Sequence, residues 1–387
     1  MASAAERTQS LFKGQGLSHH VTRTTCGSEV HSYISDLGPE TTILTLIHGY
    51  PQSAYEHHEF DSSVDLNLDI DIIRNVWEVL GQGQEARNPA LMLEVVALVP
   101  ALKDKISLFV PELPGYGIST PIKSSDPIPA NSKRSVGNAL LEALSAVFST
   151  KSSSSPRKII IGGHDRGARI SHRLAVDFSH PPAASALGAT PETANIFHTL
   201  NLTVLGTVLM DIIPTSVQWA KFSDPVICQG YFHWPMLANA ELAATLIDSL
   251  GGSEWARSAH TRISGPNPKS IDRISADGGL DIYGDNFATK EVLYYTALDY
   301  AAGAAPEVTE QDGDQQAGRK VGVPILVMFS KAKLGARTDV AGEWKAWVQP
   351  GVDYEGVGVG DGFGHYLPEE AHETVLENVF KFIKKVT

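Results

Sequence analysis

The stretch from Ile159 to Arg169 constrains the fold of this chain more than any other. A β-branched run, Ile159–Ile161, leads into two glycines, and a segment typical of a helix follows. The sequence therefore predicts a strand, a sharp turn and a helix. Within this stretch, Gly163-x-Asp165-x-Gly167 has the spacing of a nucleophile elbow, in which small neighbours allow a strained central residue to stand exposed.

An aspartate in such a turn is suited to nucleophilic chemistry. Asp165 would stand at the N-terminus of the helix, where backbone amides and the helix dipole favour an ionised carboxylate. That carboxylate can form an ester, which water must then break. A glycine-rich turn taken alone also fits an ordinary strand-to-helix connection, so the other catalytic groups have to be found elsewhere in the chain.

Composition narrows the class of protein. The chain has 387 residues, of which 42% are apolar and 19% charged, as is usual for a globular protein. Its net charge of −13 argues against nucleic acid or an anionic membrane as a partner. Only Cys26 and Cys228 are present, without metal-ligand spacing, so we predict no disulfide framework, no metal and no cofactor.

The lengths of the apolar runs in the sequence bear on where the protein is located. No apolar run approaches transmembrane length, and residues 1–17 lack the continuous apolar stretch of a signal peptide. We therefore expect a cytoplasmic protein that acts on a small-molecule substrate. We also consider a homodimer as the assembly of this protein.

Strand-like and helical segments alternate along the chain, which predicts an α/β fold with a mostly parallel sheet covered on both faces. The strands are expected at residues 20–25, 30–35, 41–47, 106–111, 159–161, 202–210, 324–329 and 352–359. Residues 1–18 are interpreted as a loose arm, and residues 181–195 as an irregular surface insertion. Helical pieces are expected at 70–80 and 89–98, within an expanded region at 61–105.

Residues 215–305 differ from the rest because they are helical, rich in aromatic residues and without a convincing parallel strand. We interpret them as a lid inserted into the sheet domain. Residues 307–320, mostly polar, are interpreted as a linker that returns to that domain. The predicted division is thus 1–214 for the first part of the core, 215–305 for the lid and 306–387 for the second part of the core.

Three candidate catalytic residues, Asp165, Asp211 and His365, each follow a strand-like segment. Because the carboxyl ends of parallel strands meet at one edge of a sheet, the three are expected to lie together. His365 would take a proton from water, and Asp211 would orient its ring. Taken singly, His365 also fits a surface turn and Asp211 a helix cap. Asp339, the next acidic residue after the strand at 324–329, is the alternative acid.

A second group of residues could stabilise an oxyanion. The segment His48–Pro51 directly follows a predicted buried strand. The amides of Tyr50 and Arg166 are therefore the expected oxyanion hole. The tetrapeptide alone also fits a plain turn closed by proline.

With these motifs the chain resembles α/β-hydrolases of the epoxide hydrolase and dehalogenase branch, and most of all the fluoroacetate (haloacetate) dehalogenases. The resemblance implies the α/β-hydrolase fold with an inserted helical lid. It rests on segments that keep the family's order over most of the chain, namely His48–Gln52, Leu113–Gly117, Gly163–Arg169, Asp211–Thr215, His233–Trp234, Asp299–Tyr300, Ala302–Ala304 and Gly364–Glu370.

The resemblance implies a reaction. Asp165 would displace halide from the α-carbon of a short haloacid and form a covalent alkyl-enzyme ester, and His365 with Asp211 would activate the hydrolytic water. Arg166 and Arg169 would hold the substrate carboxylate, and their spacing of three on a helix places them on one face.

The resemblance also implies a halide pocket formed by His233, Trp234 and Tyr300. Fluoride is a poor leaving group that needs several hydrogen-bond donors, and imidazole, indole and phenol groups supply them. Without the family pattern, aromatic residues of this kind more often line a core or a general pocket.

The nearest alternative is an epoxide hydrolase, which uses the same aspartyl ester and activates the epoxide oxygen with lid tyrosines. Arg166 argues against it, because epoxide hydrolases usually carry tryptophan after the nucleophile. A haloalkane dehalogenase lacks support because its usual halide donors are missing, and the intact triad disfavours a noncatalytic ligand-binding relative. The candidate tyrosines are Tyr231, Tyr283, Tyr294, Tyr295 and Tyr300.

Overall fold

A single sheet forms the centre of the molecule. The structure, a computed structural model, describes residues 2–57 and 98–387, and within them eight strands pair in the order β1-β2-β4-β3-β5-β6-β7-β8. β1 and β2 pair antiparallel at one edge, β2 is antiparallel to β4, and the remaining pairs are parallel. The strands are β1 (Ser18–Arg23), β2 (Glu29–Ser35), β3 (Ile43–Ile47), β4 (Ser107–Pro111), β5 (Arg157–His164), β6 (Leu202–Met210), β7 (Ile325–Ser330) and β8 (Tyr354–Val359).

Helices cover both faces of this sheet and also form a long insert between β6 and β7. We call residues 215–316 the helical insert and Arg166–Ser179 the elbow helix. The α-helices of the described residues are Ala4–Gly14, Leu98–Leu102, Pro127–Ala130, Lys133–Val147, Arg166–Ser179, Ile196–Thr199, Thr215–Lys221, Pro225–Gly230, His233–Leu237, Ala240–Leu250, Gly252–Ile263, Lys269–Ser275, Gly279–Asn286, Lys290–Ala302, Ala305–Gln316, Val340–Lys345, Leu367–Glu370 and His372–Val386.

The core follows from the two-residue period of the strands, which sends successive side chains to opposite faces. In β5, Ile159 and Ile161 pack on the face that carries Lys133–Val147 and the elbow helix. Ile160 packs on the other face with the apolar side of His372–Val386. All three side chains are fully buried. The predicted α/β fold with a mostly parallel sheet is therefore confirmed.

The prediction of a loose arm at residues 1–18 is wrong, because Ala4–Gly14 is a helix. Ser3 and Glu6 form a reciprocal capping box: the Ser3 hydroxyl accepts from the Glu6 amide, and the Glu6 carboxylate accepts from the Ser3 amide. Phe12 anchors the helix, since it is fully buried and stacks on Tyr33 with 4.4 Å between ring centroids. Ser-x-x-Glu is a known helix-start signal, so the sequence did contain the information.

The interpretation of residues 307–320 as a linker is also wrong, because Ala305–Gln316 is a helix. One face of this helix buries polar residues, namely Glu307, Gln311 and Asp314. Glu307 accepts a hydrogen bond from the Lys133 amide at 2.8 Å, and Asp314 accepts one from Arg173 at 2.7 Å. Both carboxylates are buried. The segment looked like a linker because its buried face is charged rather than apolar.

Two further expectations concern the chain's irregular parts. Residues 181–195 contain turns and bends with no helix or strand, as expected for an insertion. The helical pieces predicted at 70–80 and 89–98 lie outside the described residues, apart from Leu98. In the described parts of the chain, no helix combines the length and the apolar character needed to cross a membrane. The cytoplasmic location stays a prediction.

Candidate active site

The turn around Asp165 has the strained geometry of an elbow. β5 ends at His164 and the elbow helix begins at Arg166, so Asp165 alone makes the turn, with φ 44° and ψ −110°. A Cβ atom at Gly163 would lie 2.4 Å from the carbonyl carbon of Gly167. A Cβ atom at Gly167 would lie 2.1 Å from the Ile47 carbonyl oxygen. No side chain fits at either position, which explains both glycines.

The carboxylate of Asp165 is held and kept ionised by its surroundings. The amide of Tyr50 donates a hydrogen bond to Asp165 Oδ2 at 3.1 Å. Burial opposes ionisation, but the nearby charges of His365 and Arg166 outweigh it, and the pKa of Asp165 falls below its ordinary value. A fixed, ionised oxygen in this position is chemically suited to nucleophilic attack.

Asp211 and His365 form a charge-assisted pair beside the elbow. His365 Nδ1 donates to Asp211 Oδ2 at 2.6 Å, and the Ser330 amide at the end of β7 donates to Asp211 Oδ1 at 2.8 Å. The carboxylate is thereby fixed from two sides. Asp339, the alternative acid, caps the helix Val340–Lys345 instead, since its side chain accepts from the Gly342 amide at 3.0 Å.

These groups meet in a cavity of about 340 Å³ at the carboxyl edge of the sheet, beneath the helical insert. Asp165, Asp211 and His365 all line it, so the structure brings the three predicted residues together. Tyr50 and Arg169 line it as well. Arg166 is the first residue of the elbow helix, where amides have no partner within the helix, but its side chain is not among the lining groups.

Arg169 brings a buried positive charge to the cavity. Its Nη1 donates to the Ile213 carbonyl at 2.9 Å and to Thr215 Oγ1 at 3.1 Å, and its guanidinium lies 4.5 Å from the centre of the Trp234 ring. Burial and the neighbouring Arg166 lower the pKa of Arg169 to about 10, so it stays protonated at neutral pH. It forms no ion pair with any residue that the structure describes.

Arg166 differs from Arg169 because it already has a carboxylate. Its Nε pairs with the Asp299 carboxylate, and its Nη2 donates to the Asp299 backbone carbonyl at 2.9 Å. Lys133 pairs with the same carboxylate. The Arg166 guanidinium also lies 4.0 Å from the centre of the Tyr300 ring. The structure therefore places the two arginines differently: Arg169 faces the cavity, and Arg166 supports the aromatic wall behind it.

His233, Trp234 and Tyr300 lie together on the cavity wall. The Tyr300 ring is 6.2 Å from that of His233 and 5.8 Å from that of Trp234, between centroids. Burial lowers the pKa of His233 to about 3 and raises the pKa of Tyr300 well above its usual value. All three rings are therefore neutral at physiological pH, and each carries a donor hydrogen.

The other candidate tyrosines divide into two groups. Tyr231 lines the cavity together with Tyr300, and burial raises its pKa to about 12. Tyr283 lies away from the cavity, where its hydroxyl donates to Glu369 Oε1 at 2.8 Å. Tyr294 and Tyr295 are half-buried and do not line the cavity.

Sequence reasoning missed a buried polar network behind Asp165. His164 Nε2 donates to the backbone carbonyl of His365 at 2.8 Å, while its Nδ1 faces Gln52 Oε1 at 3.1 Å and Glu56 Oε2 at 3.3 Å. Burial disfavours a charged ring, but Glu56 outweighs it and raises the pKa of His164 to about 9. His164 and Gln52 lie inside recognised motifs, yet nothing in the sequence pairs them with each other or with Glu56.

Comparisons with known proteins agree with this architecture. No family model matches the chain. A candidate epoxide hydrolase from Pseudomonas aeruginosa has a solved structure with a TM-score of 0.68 at 23% identity, and each chain is covered to 96%. A candidate acyltransferase from Salmonella enterica gives a TM-score of 0.69 at 20% identity, again with 96% of each chain covered. The chain has the α/β-hydrolase fold.

A curated protein is similar in sequence to part of this chain. A fluoroacetate dehalogenase from Burkholderia sp. is 26% identical over 172 residues, which is 44% of this chain. The chain spans about half of that relative's length, 47%. The different names of the structural neighbours illustrate that this fold supports several chemistries, so the reaction has to be argued from the site.

Proposed function

We propose that this α/β-hydrolase removes halide from short haloacids by hydrolysis, with Asp165 as the nucleophile. The observation that carries the proposal is Arg169, a buried cation without a described ion-pair partner in the cavity that Asp165 lines. A buried unpaired charge is costly, and an anionic ligand would compensate for it. A carboxylate bound at Arg169 would present its α-carbon to the cavity and therefore to Asp165.

In the first half of the reaction, an oxygen of Asp165 attacks the α-carbon and the carbon–halogen bond breaks. The products are halide and an ester between Asp165 and the acid. His233, Trp234 and Tyr300 are neutral donors on the same wall, and we assign them to the departing halide. Arg166 would strengthen this wall, because its charge lies directly over the Tyr300 ring.

In the second half, His365 accepts a proton from water, and the resulting hydroxide attacks the ester carbonyl of Asp165. Asp211 stabilises the imidazolium that forms. The amides of Tyr50 and Arg166 are assigned to the tetrahedral oxyanion; the Tyr50 amide already donates to Asp165 Oδ2. When this intermediate collapses, the bond between the carbonyl carbon and the substrate oxygen breaks. That oxygen takes the hydroxyl proton of the intermediate and leaves as a 2-hydroxy acid, Asp165 is a carboxylate again, and His365 releases its proton to solvent. The net change is haloacid plus water to hydroxy acid, halide and one proton.

The partial similarity to the Burkholderia fluoroacetate dehalogenase supports this assignment. A direct test is to incubate the protein with fluoroacetate and with chloroacetate and to measure free halide. Turnover of either acid should be lost in Asp165→Asn. In His365→Ala the ester should accumulate, detectable as added mass on the peptide that contains Asp165. An Asp165→Asn protein that works at the wild-type rate would remove Asp165 as the nucleophile.

One observation favours a second candidate, an epoxide hydrolase. Tyr231 and Tyr300 both line the cavity, and both keep their protons at neutral pH. Two phenol donors could activate an epoxide oxygen while Asp165 attacks carbon, and hydrolysis of the ester would then give a diol. Incubation with an aryl epoxide and measurement of diol tests this reaction. Diol formation that is lost in Tyr231→Phe, without halide release from haloacids, would favour this candidate.

A further inference from the structure

Three cations that the proposed reaction does not use line the same cavity: Arg262, Lys333 and Arg337. Arg262 lies in the last turn of the helix Gly252–Ile263 in the helical insert, and the other two follow β7 in the core. Arg262 and Arg337 are exposed and Lys333 is half-buried, whereas Asp165 and Arg169 are buried. These three residues, which we call the mouth cations, therefore lie toward the solvent end of the cavity.

None of the mouth cations forms an ion pair with a residue that the structure describes. Other cations in the insert do: Lys221 pairs with Glu343 and Arg257 pairs with Asp281. The contrast is notable in a chain with 44 acidic and 31 basic residues. Where acidic groups predominate, three neighbouring unpaired cations favour an anion from outside the chain.

The guanidinium groups lie against the cavity wall. Arg262 is 5.3 Å from the centre of the Phe232 ring and 5.9 Å from that of Trp255, and both rings line the cavity. Arg337 lies against Gly230, where an added Cβ atom would be 2.7 Å from its Nη1. Stacking on aromatic faces holds a guanidinium in place and leaves its N–H groups free for a ligand.

The size of the cavity bears on the length of the substrate that it can hold. At about 340 Å³ it reaches the range usual for small-molecule sites, roughly 300–1,000 Å³. A two-carbon haloacid has about five heavy atoms and displaces on the order of 150 Å³ of water. The cavity therefore has volume left for a substrate longer than a two-carbon haloacid.

We infer that the mouth cations bind a second carboxylate of the substrate, so that the substrate class is the 2-halogenated dicarboxylic acids. The inference rests on the proposed function, which places the α-carboxylate at Arg169 and the α-carbon at Asp165. The second carboxylate then extends through the cavity to Arg262, Lys333 and Arg337. The diffuse negative charge of the protein would otherwise disfavour a dianion, and the mouth cations offset it locally.

The test compares 2-chlorosuccinate with 2-chlorobutyrate, which share four carbons and the C2 chlorine and differ only in a terminal carboxylate or methyl group. The wild-type protein should prefer 2-chlorosuccinate about tenfold in kcat/KM. Each exposed charge pair contributes little to binding, but the second carboxylate would interact with three mouth cations at once. In Arg262→Gln/Lys333→Gln/Arg337→Gln the preference should disappear, with little change for 2-chlorobutyrate. High salt should weaken it in the wild type.

A matched control removes the same number of positive charges elsewhere in the insert. Lys221→Gln/Arg257→Gln/Lys290→Gln alters three cations that do not line the cavity. This control should keep the preference for 2-chlorosuccinate. If both triple variants lose it equally, only the overall field acts and the subsite is refuted. Equal wild-type rates on the two acids would also refute it.

A binding measurement separates this inference from the proposed reaction. Calorimetry on Asp165→Asn compares succinate with butyrate, neither of which can react. Succinate should bind more tightly, and Arg262→Gln/Lys333→Gln/Arg337→Gln in the same background should abolish the difference. Tighter, charge-dependent binding of succinate without halide release from either chloroacid would keep the subsite and remove the dehalogenase. Equal binding of succinate and butyrate would remove the subsite, whatever the turnover.

Discussion

Replacement of Arg169 by glutamine tests the central step of the proposed function. Both hydrogen bonds that the Arg169 guanidinium donates to the protein come from Nη1. Nε has no partner among the described residues. At least one guanidinium N–H therefore remains available to a substrate carboxylate. Glutamine is shorter by two bonds and keeps a polar amide, but it carries no charge.

The expected loss follows from that geometry. A hydrogen bond to a charged group contributes about 1.5–3 kcal/mol, and about 1.4 kcal/mol corresponds to a factor of ten. Arg169→Gln should therefore lower kcat/KM for chloroacetate by roughly 10–100-fold. Chloroacetamide has the same shape and no charge, so its turnover should fall far less. Release of chloride from both compounds, with Asp165→Asn as the background, is the assay.

Arg173 provides a matched control on the same helix. It is also a buried arginine, but it pairs with Asp177 and Asp314 and does not line the cavity. Arg173→Gln should lower the melting temperature and affect both chloro compounds alike. If Arg169→Gln also reduces both equally, in proportion to its melting temperature, Arg169 only supports the helix. The haloacid reading would then be refuted.

Three further predictions concern other parts of the structure. Asp211→Asn should lower turnover by up to about 10⁴-fold, because the imidazolium of the histidine loses its counter-charge. Asp339→Asn should leave turnover nearly intact. If steady-state rates instead fall in Asp339→Asn and stay intact in Asp211→Asn, Asp339 and not Asp211 is the acid that orients His365. The raised pKa of His164 means that the native state keeps a proton that the unfolded chain releases, so the free energy of unfolding should fall as pH rises from the ordinary value of 6.5 to about 9. Urea unfolding should show this slope in the wild type and a smaller one in Glu56→Gln; identical slopes would contradict the pairing. Phe12→Ala should lower the free energy of unfolding by about 3–5 kcal/mol, because it leaves a cavity. Activity per folded molecule should be unchanged. An unchanged midpoint of urea unfolding would mean that Phe12 does not anchor the N-terminal helix.

Much of the fold and part of the site could be predicted because their signals are local in the sequence. The run Arg157–His164 followed by Asp165 and the elbow helix needs only strand propensity and two glycines. The clashes that a Cβ atom would meet at Gly163 and Gly167 show why no other residue serves there. The buried, largely apolar β6 was predicted with its full extent, Leu202–Met210. Patterns of this kind depend on neighbouring residues alone.

Features that depend on charge pairing across the chain could not be predicted. The helix Ala305–Gln316 buries carboxylates against Lys133 and Arg173, so its polar sequence resembles a linker. An ion pair makes a polar residue compatible with burial, and its partner can lie anywhere in the sequence. Hydrophobic periodicity therefore fails as a guide in this segment.

The sequence by itself determined the elbow, the order of the candidate catalytic residues and the alternation that makes a parallel sheet. Tertiary structure alone decided which arginine is free: Asp299, 133 residues further on, neutralises Arg166 and leaves Arg169 facing the cavity. It also brought Arg262 to the cavity that Lys333 and Arg337 line. Propensity and spacing act over a few residues, whereas electrostatic compensation acts through space, so the charge of a site is known only when the chain is folded.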